Sequence, residues 1–239
     1  DISARDVFAG YTQSAIGDST KNTVILKNTI ANNNTRAAQV YGGWSAQGNA
    51  TNNTVTLAGA AGGTANMYLA VYGGGGNGTG KDFTSGNLLQ VQGKGNELWY
   101  VRNFEKLKFV LNSDVASGDT MVSNYYSMQN FDWTKISVEN AATWGTGGTG
   151  SQRVRLYTGA GFNLSNYGAS ASNGTSGDFE YGITTNTTTP TASNVTASEV
   201  YFDRNKFQNA TVTYNTAPGS PVLPTARVIY AGTSTLGNT

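Results

Sequence analysis

Residues 75–82 read G-x-x-x-x-G-K-D, ending in Gly80, Lys81 and Asp82. That is one residue away from a phosphate-binding loop. Such a loop needs Ser or Thr after the lysine to hold Mg²⁺, and a helix whose N-terminal N–H groups face the phosphates. Asp82 stands at the Ser/Thr position, where its charge would repel a phosphate, and F-T-S-G-N-L-L-Q-V follows in strand-like sequence. No nucleotide is expected. The overlapping N-G-T-G-K-D, Asn77 to Asp82, is one residue off a calcium-binding turn. Repeat turns of that kind hold calcium between successive copies, so a single copy supplies half a site. Gly17-Asp18-Ser19 has the look of a nucleophile turn, yet the chain has no histidine to serve as base. Lys21 could take that part, but it lies at a turn position where Asn52 stands in the next repeat.

With neither Cys nor His, the usual metal ligand sets are absent, so neither metal nor cofactor is expected. The catalytic alternative is cleavage of a polysaccharide. It needs converging carboxylates, or a basic residue with a metal or arginine. Asp132, Glu139, Arg153, Arg155, Asp178, Glu180, Asp203 and Arg204 are the groups available to it. A second kind of chemistry is contact. Tyr125, Tyr126, Phe131, Trp133 and Trp144 fall within twenty residues, and Tyr and Trp supply efficient contact area for protein or sugar partners. We take Tyr125, Tyr126, Trp133 and Trp144 as candidate partner-binding residues. For Phe131 and Trp133 the alternative is to fill or cap a wide coil. Trp144 opens the Gly-rich run 144–150, which reads as an exposed loop.

These residues must be positioned by a β structure. The chain has 239 residues, of which 12% are charged and 31 are glycine, with net charge +1. Its 13 Tyr, 9 Phe and 4 Trp mark a folded chain rather than a disordered one. Lys and Arg are scattered, which excludes a nucleic-acid footprint. No run approaches the ~18 apolar residues of a membrane helix. Sequons at Asn49, Asn77, Asn173 and Asn209 are what an Asn/Thr-rich chain shows by chance.

Three segments repeat. They begin V-F-A-G at Val7, V-Y-G-G at Val40 and V-Y-G-G at Val71, spaced 33 and 31 residues (40 − 7 and 71 − 40). Each closes on Asn and an apolar-alternating strand: N-T-V-I-L from Asn22, N-T-V-T-L from Asn53, N-L-L-Q-V from Asn87. In this alignment Gly-Lys-Asp is the variable filling of a repeat turn, three residues longer than its neighbour (87 − 71 against 53 − 40). Short strands are expected at 24–26, 55–57, 88–91, 98–101, 107–111, 154–157, 200–202, 210–214 and 228–230, bounded by Gly, Asn, Asp and Ser. Repeats of this period point to a β-solenoid. Stacked coils align Val and Leu in an inward column and Asn or Thr in ladders, about 4.8 Å apart. Stacked like charges would repel at that spacing, which accounts for the low charge. The region 7–111 reads as regular repeats, and 112–215 as less regular coils with insertions. The segment A-R-V-I-Y-A-G, 226–232, repeats A-R-D-V-F-A-G, 4–10, at an offset of 222 residues (226 − 4). Residues 226–239 are therefore expected to begin a next module, making 1–239 a single solenoid fragment of a longer tandem-repeat protein.

The unit V-Y-G-G…N-T-V-T-L-A-G, followed by N-F-E-K-L-K-F-V-L-N-S-D-V-A-S-G-D-T-M-V (103–122), resembles the passenger regions of large autotransporter adhesins of Gram-negative anaerobes. The matching positions are Asn103, Phe104, Phe109, Leu111, Val115, Gly118, Thr120 and Val122. Asn112 stands where that family usually has Pro, and Val122 where it usually has Leu. The resemblance implies an all-β, right-handed parallel β-helix with loop insertions, secreted and displayed at the bacterial outer membrane. It implies a non-enzymatic adhesin or stalk. The expected partner is a receptor or glycan on a host or neighbouring cell. Self-association, end to end or lateral, as in a surface filament, is a further expectation.

Overall fold

In the computed structural model the described residues are 6–26, 38–58, 69–128, 131, 136–140, 144, 152–163, 179–184 and 196–203. They form strands β1 (Asp6–Phe8), β2 (Tyr11–Thr12), β3 (Thr23–Leu26), β4 (Ala38–Ser45), β5 (Thr54–Leu57), β6 (Leu69–Gly76) and β7 (Leu88–Gln92). These continue as β8 (Asn96–Arg102), β9 (Lys106–Val110), β10 (Thr120–Met128), β11 (Ile136–Glu139), β12 (Arg153–Asn163), β13 (Phe179–Thr184) and β14 (Thr196–Asp203). No helix occurs among the described residues. The expected strands 210–214 and 228–230 lie outside them, as does the segment 226–239.

The chain alternates between two sheets. One is ordered β1-β4-β6-β8-β10-β12-β14-β13, with β2 also on β4; the other is β11-β9-β7-β5-β3. Every neighbouring pair from β1 to β12 is parallel. The protein is a parallel β-solenoid of about four turns. Its registers are those of the repeats. Val7 pairs with Val40, Val40 with Val71, and Val71 with Val101. On the other sheet Val24, Val55, Leu89, Leu107 and Ile136 fall in one row, and Leu26, Leu57, Val91, Phe109 and Val138 in the next row inward. These rows join one apolar core running the length of the coil stack. Strand periodicity of two explains the burial: on β7, Leu89 and Val91 are buried while Leu88, Gln90 and Gln92 are partly exposed.

The V-Y-G-G runs, absent from the expected strands, are strand interiors. Gly42 and Gly43 sit inside β4, Gly73 and Gly74 inside β6. The reason is space. A Cβ on Gly73 would lie 2.2 Å from the Asn103 carbonyl oxygen and 2.7 Å from Asn87 Cβ. The corner asparagine of each coil presses directly on the opposite strand, so only glycine fits there.

That corner is built twice over. The residue before each repeat asparagine has positive φ: Lys21 (60°), Asn52 (57°) and Gly86 (70°). The asparagines then form a ladder. Asn22 N–H donates to Asn53 Oδ1 at 3.0 Å, and Asn53 N–H donates to Asn87 Oδ1 at 2.8 Å. Asn53 and Asn87 are wholly buried. Their amides donate to the Ser19 carbonyl, and to the Ala50, Phe83 and Asn103 carbonyls, respectively. Backbone groups left open by the turn are thus satisfied from inside.

Beyond β12 the pairing changes. β14 lies antiparallel to β12, and β13 antiparallel to β14, so the last coil edge of the larger sheet is covered by a two-stranded ribbon. The antiparallel ribbon changes the strand direction that the coils had repeated.

Candidate functional site

Gly75–Asp82 leads from one strand to the next. Gly75 and Gly76 end a strand, and β7 rather than a helix follows the loop. Asp82 turns its carboxylate back on its own loop, accepting from Thr84 N–H at 2.8 Å and Ser85 N–H at 3.0 Å. Hydrogen bonding to Ser85 holds its carboxyl below the usual aspartate value. Its backbone N–H donates to Asn49 Oδ1, and Asn49 N–H donates to Asp18 Oδ1. Asp18, Asn49 and Asp82 therefore form a second, outer ladder between turns. Among the described residues no cluster of three acidic side chains is placed to hold a metal.

Of the candidate contact residues, Tyr125 and Tyr126 are exposed, at 54% and 55%. Adjacent residues of a regular strand point to opposite faces, so two exposed neighbours need an irregularity. β10 supplies it. Asn124 pairs with Leu98 and Ser127 with Tyr100, so Tyr125 and Tyr126 together face Trp99. This is a β-bulge, a device that re-aims side chains. Buried Asn124 closes it, its Oδ1 accepting from Tyr126 N–H at 3.3 Å.

The bulge gathers an aromatic patch. The Tyr126 ring lies 4.9 Å from Trp99 and 5.5 Å from Tyr100, and the Arg102 guanidinium lies 5.0 Å over Tyr100. Arg102 falls in register with Tyr72, which stacks on Tyr41 at 4.6 Å; Tyr41 stacks on Phe8 at 5.0 Å. A lane of rings and one guanidinium thus runs along the outside of the larger sheet. In the stacked part the ring faces are used on one another. At the bulge Tyr125 and Tyr126 stay exposed to solvent. Trp99, Tyr100 and Arg102 were not singled out from sequence, because only the register of β8 against β10 brings them to the tyrosines.

Trp144 is placed elsewhere. It is buried, its indole N–H donates to the Val115 carbonyl at 2.7 Å, and its ring packs edge-on to Phe202 at 6.0 Å. It is the floor of an open cleft of about 400 Å³, lined also by Leu111, Val115, Ala116 and Gln152. The reading of Trp144 as a loop contact gives way to packing. Its neighbours 145–150, and Trp133, lie outside the described residues, and Phe131 is buried in the core.

The acidic and basic candidates divide. Glu139 pairs with Lys108 on the surface. Arg153, Arg155, Glu180 and Asp203 are brought together on the antiparallel end: Arg153 is opposite Asp203, Arg155 opposite Tyr201, and Tyr201 opposite Glu180. Arg155 Nε lies 3.1 Å from Glu199 Oε1, and Arg155 Nη2 donates to the Tyr201 hydroxyl at 2.9 Å. The Arg153 guanidinium lies 3.9 Å over the Tyr201 ring. Burial pushes the Tyr201 hydroxyl above its ordinary value, with Arg155 opposing. Asp132, Asp178 and Arg204 lie outside the described residues. Glu199 and Tyr201 were missed in the sequence because their partners are 44 and 46 residues away (199 − 155 and 201 − 155) and on an antiparallel strand.

No family model matches this chain, and no curated protein and no solved structure matches it either.

Proposed function

We propose that this chain is a non-enzymatic surface stalk or adhesin: a rigid β-solenoid that displays a contact patch built on Tyr125, Tyr126, Trp99, Tyr100 and Arg102. The observation that carries the reading is the bulge in β10, which leaves two adjacent tyrosines on the surface of an otherwise regular coil. Aromatic rings beside one guanidinium suit the ring faces of a glycan or a protein surface. Secretion to an outer-membrane surface belongs to the same proposal and rests on the resemblance of 7–122 to autotransporter passengers. Beads coated with the purified chain should adhere to cells, and Y125A/Y126A should reduce adhesion at least tenfold without altering the melting temperature. Equal adhesion by the double variant would sink the patch.

The second reading is a polysaccharide-cleaving enzyme, favoured by one observation: Arg153, Arg155, Glu199 and Tyr201 gather two guanidinium groups, a carboxylate and a phenol at one place. Incubation with acidic and neutral polysaccharides, read as new reducing ends or as unsaturated-uronate absorbance, separates the two. Cleavage that disappears in Tyr201→Phe would establish the enzyme and displace the adhesin.

A further inference from the structure

The two ends of the coil stack are unlike, and that difference has a consequence for assembly. On the larger sheet, one end departs from the repeat geometry through the antiparallel β14 and β13. The other ends at β1 and β2, which pair only with β4 among the described residues. There the internal ladders stop in mid-pattern. The ring stack Tyr72–Tyr41–Phe8 ends on Phe8, and the stack of Trp44 and Tyr11 ends on Tyr11. Phe8 is 37% exposed, Tyr11 51%, and Ile16, at the following turn, 91%. Val7 begins the inward valine row and is only partly buried, whereas Val40 and Val71 are wholly so. Ala9 N–H donates to the Tyr41 carbonyl, so by strand alternation the Phe8 N–H points to the open side.

An edge of this kind is a template for a further parallel strand, and it specifies what that strand must be. It must put an aliphatic residue over Val7 and an aromatic over Phe8, continuing the valine row and the ring stack. The chain contains such a segment. Residues 226–232, A-R-V-I-Y-A-G, set Ile229 at the Val7 position, Tyr230 at Phe8 and Gly232 at Gly10. Leu236-Gly237-Asn238-Thr239 then follows the pattern of Ile16-Gly17-Asp18-Ser19 at an offset two residues shorter (236 − 16 = 220).

We propose that the β1 edge is a β-augmentation site whose occupant is the 226–232 segment of a second copy of this chain, so that copies assemble head to tail. Ile229 then extends the valine row, and Tyr230 extends the ring stack of Phe8, Tyr41 and Tyr72. Because edge and segment are different surfaces, the contact is heterologous. It propagates into a filament rather than closing into a symmetric dimer. The inference is independent of what the tyrosine patch binds.

The test uses two blocked versions of the full chain. Phe8→Pro removes the outward N–H and the terminal ring, while Val7 and Ala9 keep their ladder with β4. Ile229→Lys places a charge where the segment would enter the valine row. Sedimentation velocity of the unaltered chain should show concentration-dependent species larger than a monomer. Each variant alone should sediment as a monomer with an unchanged circular dichroism spectrum. An equimolar mixture should form dimers and nothing larger, since one variant keeps its segment and the other its edge. A monomeric unaltered chain at all concentrations would overturn the proposal. So would association that survives Ile229→Lys, which would point to edge-to-edge or lateral contact. A mixture that stays monomeric also counts against it, because complementation is what a head-to-tail contact requires.

Discussion

The backbone N–H of Asn53 donates to the side chain of Asn87, 34 residues on, at 2.8 Å, while its own side chain accepts from Asn22 N–H at 3.0 Å. Each corner asparagine is thus donor to one coil and acceptor from the other. Asn53→Ala would leave the Asn22 N–H without its acceptor at the half-buried corner, and the Ser19 carbonyl without its donor. The expected loss is about 2–4 kcal/mol, the sum of one to two orphaned buried groups. Urea unfolding read by circular dichroism measures it. A loss under about 0.5 kcal/mol would mean that the ladder is incidental.

The corner position before each ladder residue carries Lys21, Asn52 and Gly86, all with positive φ. Asn and Gly take that conformation readily, while a long side chain is penalised by about 1–2 kcal/mol. Lys21→Gly should therefore stabilise the first coil, by about 1 kcal/mol after the added flexibility of the unfolded chain is subtracted. Amide exchange of residues 23–26 should slow accordingly. Faster exchange would refute the strain.

Gly73→Ala should be severe although it adds a single methyl. The nearest atom, the Asn103 carbonyl oxygen at 2.2 Å, is backbone and cannot step aside. Gly80→Ala is the control, since nothing lies within 4 Å of a Cβ there and only its φ of +70° opposes the change. We expect more than about 3 kcal/mol for the first, in the range of severe overpacking, and about 1 kcal/mol for the second. Equal melting temperatures for the two variants would show that the corner does not press on β6.

Tyr41 ties stability to alkaline pH. Burial, then the neighbouring Tyr72 and Asp6, push its hydroxyl up from 10.0 to about 12. The folded state therefore favours the neutral phenol. Its contribution is complete below pH 10, the unfolded value, and is lost as pH rises through the folded value near 12. The melting temperature should be insensitive to Tyr41 up to pH 10 and fall between there and 12. Tyr41→Phe should lessen the fall. Tyr157, whose hydroxyl burial raises still further, will sharpen unfolding above that window in both proteins. An identical pH profile in Tyr41→Phe would assign the loss elsewhere.

How much of this was legible in the residues alone follows from what is local. The solenoid was, because its repeat is written three times and each copy must meet the next at strand spacing. Val7, Val40 and Val71 pair as their alignment requires, and so do Thr54 with Leu88 and Val55 with Leu89. That a strand and not a helix follows Gly75–Asp82 was legible too, and β7 stands there. The V-Y-G-G strands are missing from the expected set, because what demands glycine at Gly73 is the approach of Asn87 and Asn103, 14 and 30 residues away (87 − 73 and 103 − 73).

The candidate site divides the same way. Composition marked Tyr125 and Tyr126, but their joint exposure comes from a register shift between β8 and β10 that no spacing announces. Trp144 sits in a Gly-rich run that reads as exposed, yet long-range packing on Phe202 and a hydrogen bond to Val115 draw it inside. The antiparallel closure by β14 and β13 lies where the repeat fades. Periodicity determines how coils stack, because stacking repeats one local geometry. Where the repetition stops, only contacts between distant segments decide which edge is covered and which ring stays in water.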